Sequence, residues 1–299
     1  MRILISGSSG FIGSALVSHL RSSGHSVVRL VRSSAAAEYG AIGWDPANGT
    51  IDSSELDGFD AAIHLGGENV TSRRWSPAQK NLIHNSRIDS TTLLADALQS
   101  VPNPPSIFLC ASASGFYGDR GDKLLTESDE PGNDFLANST RAWERATDGI
   151  ANAGIRVANL RFGLALSASG GLLDRLVPIF RFGLGGRLAS GRQYMSWISR
   201  QDVVRAIDHI LSDDSISGPV NVSSPNPVSN NEFTAALGKT LHRPAFFFVP
   251  EIALRITQGE VTDAVLASVR MQPDVLINSG FKFDHPDLKS ALDWALKDR

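Results

Sequence analysis

Gly7-Ser8-Ser9-Gly10-Phe11-Ile12-Gly13 joins the apolar run Ile3-Leu4-Ile5 to a segment whose apolar residues recur at helical spacing, and this junction indicates the class of fold. Glycine lets a backbone turn tightly and approach a phosphate closely, and the first amides of a helix attract its negative charge. The spacing is Gly-x-x-Gly-x-x-Gly, which departs from the older dehydrogenase fingerprint at Ser8. Its place between a buried strand and a helix predicts a dinucleotide site rather than an ordinary turn.

The end of the second predicted strand bears on which dinucleotide is bound. The run from Ser26 to Val31 is rich in β-branched residues, and Arg32 follows it directly. A site for NAD places Asp or Glu about 20 residues past the glycines, where it accepts a hydrogen bond from a ribose hydroxyl. This chain has no acid there, and a guanidinium suits a ribose phosphate. The sequence favours NADP, with a solvated charge at a strand end as the alternative for Arg32.

Short apolar runs alternate with helical segments along the first half of the chain. This pattern predicts an α/β fold, a Rossmann-type doubly wound parallel sheet with a small α+β lobe at the carboxyl end. We expect the NADP-binding core at 1–165, with its sheet completed by parts of 195–225. Residues 166–299 would supply substrate-side segments and the lobe, at about 245–297. The predicted elements include a helix opened by Ser76-Pro77 and ending near Gln99, a helix over Phe135–Ala153 and a strand over Arg156–Leu160.

The composition limits the partners and the compartment. The 299 residues carry a net charge of −3, which argues against nucleic acid or an anionic membrane as the main partner. No apolar run approaches the ~20 residues that span a bilayer. The single cysteine, Cys110, excludes an internal disulfide and suits a reducing cytoplasm. The seven histidines show no metal-ligand spacing, so we expect no metal site.

Beyond the glycine turn, several strings resemble one known family. The turn itself resembles that of the extended short-chain dehydrogenase/reductases, which include the nucleotide-sugar epimerases. Other strings are similar to an atypical NADP-binding branch, named epimerase family proteins, that carries a carboxy-terminal domain of unknown function: His64-Leu65-Gly66-Gly67-Glu68-Asn69, Arg73-Arg74-Trp75, Ser86 to Thr91, Phe180 to Gly186, Ser190 to Gln193 and Arg243 to Phe246. The likeness runs through nearly the whole chain.

The resemblance implies a set of cofactor contacts. By side chain, backbone or shape, they are Gly7, Ser9, Gly10, Phe11, Ile12, Gly13, Arg32, Leu65, Gly66, Arg87 and Leu164. Leu65 and Gly66 would act through backbone and shape. Without the resemblance, Arg87 would be interpreted as a surface cation on the helix after Ser76.

The proton-transfer pair of the superfamily is missing from this sequence. Catalytic members carry Tyr-x-x-x-Lys on a helix, where the lysine lowers the pKa of the tyrosine that passes a proton during hydride transfer. The three tyrosines are Tyr39, Tyr117 and Tyr194, and the residues four positions later are Gly43, Gly121 and Ile198. Aligning the predicted helix on Trp143-Glu144 puts Leu136 where Tyr is expected and Thr140 where Lys is expected. Neither side chain titrates in the useful range.

Two groups of polar residues are left as candidates for a substrate site. The turn after Cys110 resembles the superfamily loop that binds a carbonyl, so Ser112, Ser114 and Tyr117 are candidate catalytic residues. Hydroxyls that stabilise their own turn are the alternative. Arg187 and Arg192 lie in a glycine-rich stretch that resembles the region holding a substrate diphosphate, and solvated loop charges are the alternative there.

We therefore expect an NADP(H)-dependent oxidoreductase or epimerase-like enzyme. Its substrate would be small and unidentified, with an anionic compound or a nucleotide sugar among the candidates. A non-catalytic NADP(H) sensor is the competing hypothesis. The oligomeric state is left open.

Overall fold

The protein is described by a computed structural model over residues 1–32 and 40–298. Ser33 and Tyr39 lie outside the described residues. Within them the strands are β1 (Arg2–Ser6), β2 (Ser26–Arg32), β3 (Ala41–Asp45), β4 (Thr50–Ile51), β5 (Ala61–His64), β6 (Ile107–Ala113), β7 (Leu124–Leu125), β8 (Arg156–Phe162), β9 (Leu164–Ser167), β10 (Gly186–Leu188), β11 (Tyr194–Met195), β12 (Trp197–Ser199), β13 (Gly218–Val222), β14 (Val228–Ser229), β15 (Phe247–Val249) and β16 (Arg270–Met271).

The helices alternate with these strands through most of the chain. They are α1 (Phe11–Ser22), α2 (Pro77–Gln99), α3 (Phe135–Arg145), α4 (Asp148–Asn152), α5 (Gly171–Arg181), α6 (Arg200–Ser212), α7 (Asn230–Thr240), α8 (Glu251–Gln258), α9 (Val261–Leu266), α10 (Asp274–Asn278) and α11 (Leu288–Ala295), with 3-10 turns at Ser53–Leu56 and Ser114–Tyr117. Within residues 1–32 and 40–298, every helix is too short or too polar to span a bilayer.

Eight strands form the main sheet, in the order β13-β8-β6-β5-β1-β2-β3-β4. Every neighbouring pair is parallel except β3 and β4, which pair in the antiparallel direction. From β1 the chain first adds β2, β3 and β4 on one side, and then crosses to β5 and the strands beyond it. The switch point therefore lies between β1 and β5, where ligands bind in doubly wound sheets. The expected Rossmann-type architecture is confirmed.

Successive side chains of β1 point to opposite faces of the sheet, and each face carries a hydrophobic core. Ile3 and Ile5 pack with the cluster that includes α1 and α6, whereas Leu4 packs with the cluster that includes α2. This is the period-two pattern that a strand buried on both faces requires. A third cluster joins α5, α7 and α11 around the buried Trp197 on the carboxyl side of the chain.

The helix predicted over Phe135–Ala153 is wrong in its length. The structure ends α3 at Arg145 and begins α4 at Asp148. The Thr147 hydroxyl donates to the carbonyl of Glu144 at 2.7 Å, and threonine hydroxyls that bond to the backbone compete with the helical pattern. The helix opened by Ser76 is confirmed, since the Ser76 side chain accepts from the amide of Gln79 and α2 ends at Gln99.

Candidate functional site

The glycine turn joins β1 to α1 with two tight backbone contacts. Gly7 has a φ of +67°, and a Cβ atom added there would lie 2.7 Å from the carbonyl carbon of Leu65. A Cβ at Gly13 would lie 2.2 Å from the carbonyl oxygen of Gly7. Both positions therefore need glycine to let β1, α1 and the residue after β5 approach one another.

The amino terminus of α1 presents unused donors beside this turn. The first intrahelical bond runs from the amide of Ser14 to the carbonyl of Gly10, so the amides of Phe11, Ile12 and Gly13 precede it. No side chain caps this terminus. A Cβ at Gly10 would approach the Gly7 carbonyl at 3.2 Å and meet no other group within 4 Å. The space in front of Gly10 can thus admit an anion to the helix terminus.

His64 lies directly beneath the turn and is completely buried. Its Nδ1 lies 2.5 Å from the Ser6 hydroxyl and its Nε2 lies 3.0 Å from the Ser90 hydroxyl. Ser90 donates its proton to the Ser86 carbonyl at 2.7 Å, so it accepts from Nε2–H of His64. The Ser6 hydroxyl then donates to Nδ1. This chain of bonds fixes one neutral tautomer and ties the ends of β1 and β5 to α2.

Burial lowers the pKa of His64 to about 4, so the imidazole is neutral at physiological pH. A Cβ at Gly66 would lie 2.9 Å from Cε1 of His64, so the ring also restricts the residue after Leu65 to glycine. The ring of Trp44 contacts the imidazole edge-on, with centroids 5.9 Å apart. His64 is a structural support for the turn.

The Arg87 side chain links the loop that follows β5 to helix α2. Its Nη2 donates to the carbonyl of Glu68 and its Nη1 to that of Ile83, both at 2.8 Å. Burial lowers the pKa of Arg87 to about 10, which leaves it charged at neutral pH. The guanidinium also lies 5.0 Å from the ring centroid of Trp143. The interpretation of Arg87 as a free surface cation is wrong, because these contacts half-bury it.

The remaining predicted cofactor residues lie around the same edge of the sheet. Arg32 is the last residue of β2, is exposed and pairs in register with Trp44 of β3. Leu164 begins β9 and is 37% exposed, and its amide donates to the Ser196 carbonyl at 2.7 Å. Ser9 is exposed, and Phe11 and Ile12 are half-buried at the start of α1.

The hydroxyl of Ser112 is hydrogen-bonded to a buried ion pair. It donates to Oε1 of Glu144 at 2.5 Å, and Arg161 donates to both carboxylate oxygens of Glu144 at 2.9 Å. Ser112 and Arg161 are each 3% exposed. Charge-assisted bidentate pairs of this kind are rigid. This placement gives Ser112 a structural contact in the expected substrate loop.

Tyr117 is likewise held inside the protein. Its hydroxyl donates to Oδ1 of Asn221 at 2.7 Å and accepts from Nη1 of Arg161 at 3.0 Å. Burial raises the pKa of Tyr117 to about 12, although the Arg161 charge pulls it down. A fully buried hydroxyl with these partners has no path to a substrate oxygen. The geometry therefore counts against Tyr117 as the proton donor that the sequence favoured.

Ser114 differs from both of these residues. It begins the 3-10 turn after β6 and is half-buried, and within the described residues its hydroxyl has no protein hydrogen-bond partner. On the next residue, a Cβ at Gly115 would lie 3.3 Å from Cβ of Leu136 and 3.8 Å from the Thr140 hydroxyl. Leu136 and Thr140 thus stack on one face of α3 beside this turn, as the alignment of the missing Tyr and Lys requires.

The two arginines expected at an anion site lie further along the chain. Arg187 is exposed on β10, with its guanidinium 5.3 Å from the ring centroid of Phe248 on β15. Arg192 is exposed after the turn at Gly191. Each keeps an accessible charge, and neither is part of the buried network at Arg161.

Comparison with known proteins identifies the family. A profile described as the NAD dependent epimerase/dehydratase family matches residues 3–223. The chain belongs to this family. A domain of unknown function, DUF1731, matches residues 249–295. The resemblance stated from the sequence is confirmed.

Individual relatives match this chain over nearly its full length. An epimerase family protein of Mycobacterium bovis is 42% identical over 98% of this chain and 97% of its own, and one of Bacillus subtilis is 34% identical over 100% and 99%. The crystal structure of human epimerase family protein SDR39U1 with NADPH is similar at a TM-score of 0.90 and 29% identity, and the similarity covers 100% of both chains.

Sequence reasoning missed the supporting residues of this site. From the sequence, His64, Glu144, Arg161 and Asn221 had no predicted role in the site. A polar residue within an apolar strand, as His64 is in Ala61–His64, signals a buried hydrogen bond. The pairing of Glu144 with Arg161 links residues on α3 and β8, and no spacing in the sequence predicts it.

Substitutions at Gly10 and Gly13 distinguish a defect in cofactor binding from a defect in packing. Gly10→Val should preserve the fold, because Gly10 has extended backbone angles and, among the described residues, an added Cβ meets only the Gly7 carbonyl oxygen, at 3.2 Å. It should abolish binding of NADPH by blocking the α1 amides. Gly13→Ala should instead lower the melting temperature, since its Cβ would overlap the Gly7 carbonyl. Thermal unfolding and NADPH titration of both variants check this. A folded Gly10→Val protein that binds NADPH normally would contradict it.

The buried His64 also predicts a pH dependence of stability. Its pKa is about 4 when folded, below the ordinary histidine pKa of 6.5, so the unfolded chain binds more protons between these values. The contribution of His64 is complete above about pH 6.5 and is lost as pH falls towards 4. His64→Gln, which keeps a donor for Ser90, should flatten this part of the curve. Denaturant unfolding between pH 4 and 7 measures it, and an unchanged slope in the variant would refute it.

Proposed function

We propose that this protein binds NADP(H) at the turn from Gly7 to Gly13 and is an NADP(H)-dependent oxidoreductase or epimerase-like enzyme. The observation that carries the proposal is the uncapped terminus of α1, which follows Gly10 at the switch point of the sheet. Free amides and a helix dipole at this place suit a pyrophosphate. The NADPH in the crystal structure of the SDR39U1 protein supports the same cofactor here.

The residues around the turn fit a dinucleotide. The amides of Phe11 and Ile12 would bind the pyrophosphate, and the exposed Ser9 of the same turn would lie beside it. Arg32 would pair with the ribose phosphate, because it is exposed at the carboxyl end of the strand next to β1. When bound, the nicotinamide donates or accepts a hydride.

Backbone rather than side-chain chemistry shapes the far part of the cofactor site. Leu65 and Gly66 follow β5 and are kept in place by His64 and by the Gly7 contact. Arg87 fixes the same loop through the Glu68 carbonyl, so we propose that it acts on the cofactor through this loop. Leu164 would add an apolar contact from the start of β9.

On the substrate side we propose that Ser114 orients the reacting oxygen. It combines a half-buried hydroxyl with a position at the carboxyl end of β6, the neighbour of β5, which Leu65 follows. Ser112 and Tyr117 would position this turn through Glu144, Arg161 and Asn221. General acid–base catalysis contributes about 10²–10⁴-fold, so its absence slows turnover without abolishing it.

Arg187 and Arg192 would bind an anionic part of the substrate, because both charges are exposed to solvent. The class of substrate we favour is therefore a small carbonyl or hydroxyl compound with a phosphate or diphosphate group, such as a nucleotide sugar. We also propose that the protein works in a reducing compartment such as the cytoplasm, because its single cysteine is buried as a free thiol.

A non-catalytic NADP(H) sensor is the second candidate. The observation that favours it is the engagement of Ser112 and Tyr117 in buried hydrogen bonds, together with Leu136 and Thr140 in place of the proton-transfer pair. In that case the conformational response to the cofactor, rather than turnover, would be the output.

The choice of cofactor is tested at Arg32. Arg32→Ala should lower the affinity for NADPH by about ten- to a hundredfold, because a charge-assisted contact worth roughly 1.5–3 kcal/mol is removed. The affinity for NADH should barely change. Titration calorimetry of both cofactors measures this, with Arg141→Ala on the exposed side of α3 as the control. Equal losses for NADPH and NADH would rule out the contact with the ribose phosphate.

Turnover separates the two candidate functions. A panel of aldehydes, ketones and nucleotide sugars should include a compound that oxidises NADPH, followed by its fluorescence. With that compound, Ser114→Ala should lower kcat at least about tenfold with NADPH affinity unchanged. Tyr117→Phe should mainly lower the melting temperature, since it breaks buried hydrogen bonds. A panel without any turnover would leave the sensor as the function.

A further inference from the structure

Two buried polar side chains, one on α2 and one on α9, lack hydrogen-bond partners within the described part of the chain. Gln79 is 7% exposed and Thr262 is completely buried. No protein atom of residues 1–32 and 40–298 bonds to Nε2 of Gln79 or to the hydroxyl of Thr262. A buried polar group without a partner loses its hydration without compensation, so native proteins contain few of them. Both groups therefore indicate a place where a bound molecule completes the hydrogen bonds.

Gln79 belongs to the face of α2 that turns towards the loop after β5. On this face Ser86 accepts a hydrogen bond from the Glu68 amide at 3.1 Å, and Ser90 is bonded to His64. Gln79 precedes Ser86 by seven residues, about two helical turns, so the two side chains lie on one stripe of the helix. Helix α2 runs back from the carboxyl edge of the sheet, because it joins the parallel strands β5 and β6. Gln79 therefore lies beyond the carboxyl end of β5, on the side of the proposed substrate.

Helix α9 bridges α2 and the loop after β6. Before its first residue, Glu260 accepts a hydrogen bond from Nζ of Lys80 in the first turn of α2. Beyond its end, the Ser268 carbonyl accepts from the amide of Arg120 at 3.0 Å, in the loop that follows the 3-10 turn at Ser114–Tyr117. The helix thus connects the start of α2 with the turn that we propose for the substrate.

The start of α3 contacts both of the elements that α9 connects. The ring centroid of Phe135 lies 5.3 Å from Nζ of Lys80, and Leu136 lies beside Gly115 of the 3-10 turn. Because Thr262 is completely buried, its side chain is on the inner side of α9, which faces this part of the protein. Gln79 and Thr262 thus reach the substrate side from two distant segments of the chain.

The two unpaired groups suit an uncharged ligand with hydroxyl or carbonyl oxygens. The amide Nε2 donates, and the threonine hydroxyl both donates and accepts. Neither group is charged, and the ammonium of Lys80 beside them is bonded to Glu260. A phosphate is bound better by guanidinium groups, which we place at Arg187 and Arg192. The chemistry of the pair therefore selects a neutral part of the substrate.

We propose that Gln79 and Thr262 form a subsite that hydrogen-bonds an uncharged, hydroxyl-bearing part of the substrate, with the reacting oxygen at Ser114. The inference rests on the proposed function, because it takes the turn at Ser114 as the substrate side. Thr262 lies in the domain of unknown function at residues 249–295, which thereby contributes to the choice of substrate. Sites that hydrogen-bond a ligand hydroxyl reject analogues without it.

The stability of the free protein tests whether the two groups are unpaired. Gln79→Met and Thr262→Val remove the polar atoms with little change of shape, so neither should lower the melting temperature. Thr91→Val is the matched control, because Thr91 is also completely buried but accepts from Nε1 of Trp143 at 2.9 Å. This control should lower the melting temperature by about 2–4 °C. A comparable loss in Gln79→Met or Thr262→Val would show that a structural bond or buried water completes the group, and would overturn the subsite.

Binding in the presence of saturating NADPH tests the class of ligand without a need for turnover. Titration calorimetry compares UDP-glucose with UDP, and glucose 1-phosphate with inorganic phosphate, so that each pair differs by a sugar ring. At least one sugar compound should bind tenfold or more tightly than its counterpart, by about that factor or above. Gln79→Met and Thr262→Val should each remove most of this gain, whereas Thr91→Val should keep it. The affinities for UDP, phosphate and NADPH should not change.

The outcomes distinguish the subsite from the proposed function. A preference for the sugar compound that depends on Gln79 and Thr262 supports the subsite even when no compound oxidises NADPH, a result that counts only against the enzyme. A wild-type protein that binds neither sugar compound more tightly than its counterpart would overturn the subsite. A preference that either variant retains would also overturn it.

Discussion

The hydrogen bonds of the buried His64 imidazole are the constraint on which the proposed cofactor site depends. One ring joins Ser6 at the end of β1, Ser90 on α2 and its own strand β5. These are the two strands that flank the switch point of the sheet. Because Gly7 and Leu65 follow them directly, the position of the ring sets the distance between the glycine turn and the β5 loop. Neutrality of the ring is essential, since a buried charge without a counterion would cost several kcal/mol.

The substrate side depends on a second buried network with a different consequence. Arg161 bonds to both Glu144 and Tyr117, and so connects β8, α3 and the turn after β6. Tyr117 is a buried structural residue in this network, and apolar Leu136 and uncharged Thr140 face the turn. The chain thus has the scaffold of its family but no Tyr-x-x-x-Lys pair, and one scaffold commonly presents different functional groups.

Local sequence signals were enough to predict the fold and the elements that carry the proposed cofactor site. The glycine turn, the apolar strands and the cap at Ser76 are set by residues close together in the chain, and each appears in the structure as expected. The substrate side could not be predicted in this way. Whether a hydroxyl such as that of Ser112 or Tyr117 is free depends on partners 32 and 104 residues away. Such pairings follow from the tertiary packing of β8 and β13, which no sequence spacing encodes.

The central claim is that the turn supported by His64 binds the pyrophosphate of NADPH at the terminus of α1. A crystal structure of the protein with NADPH tests it most directly. The account predicts pyrophosphate oxygens within about 2.7–3.2 Å of the amides of Phe11 and Ile12, with the His64 ring unmoved between Ser6 and Ser90. A pyrophosphate bound away from α1, with these amides facing only water, would contradict it.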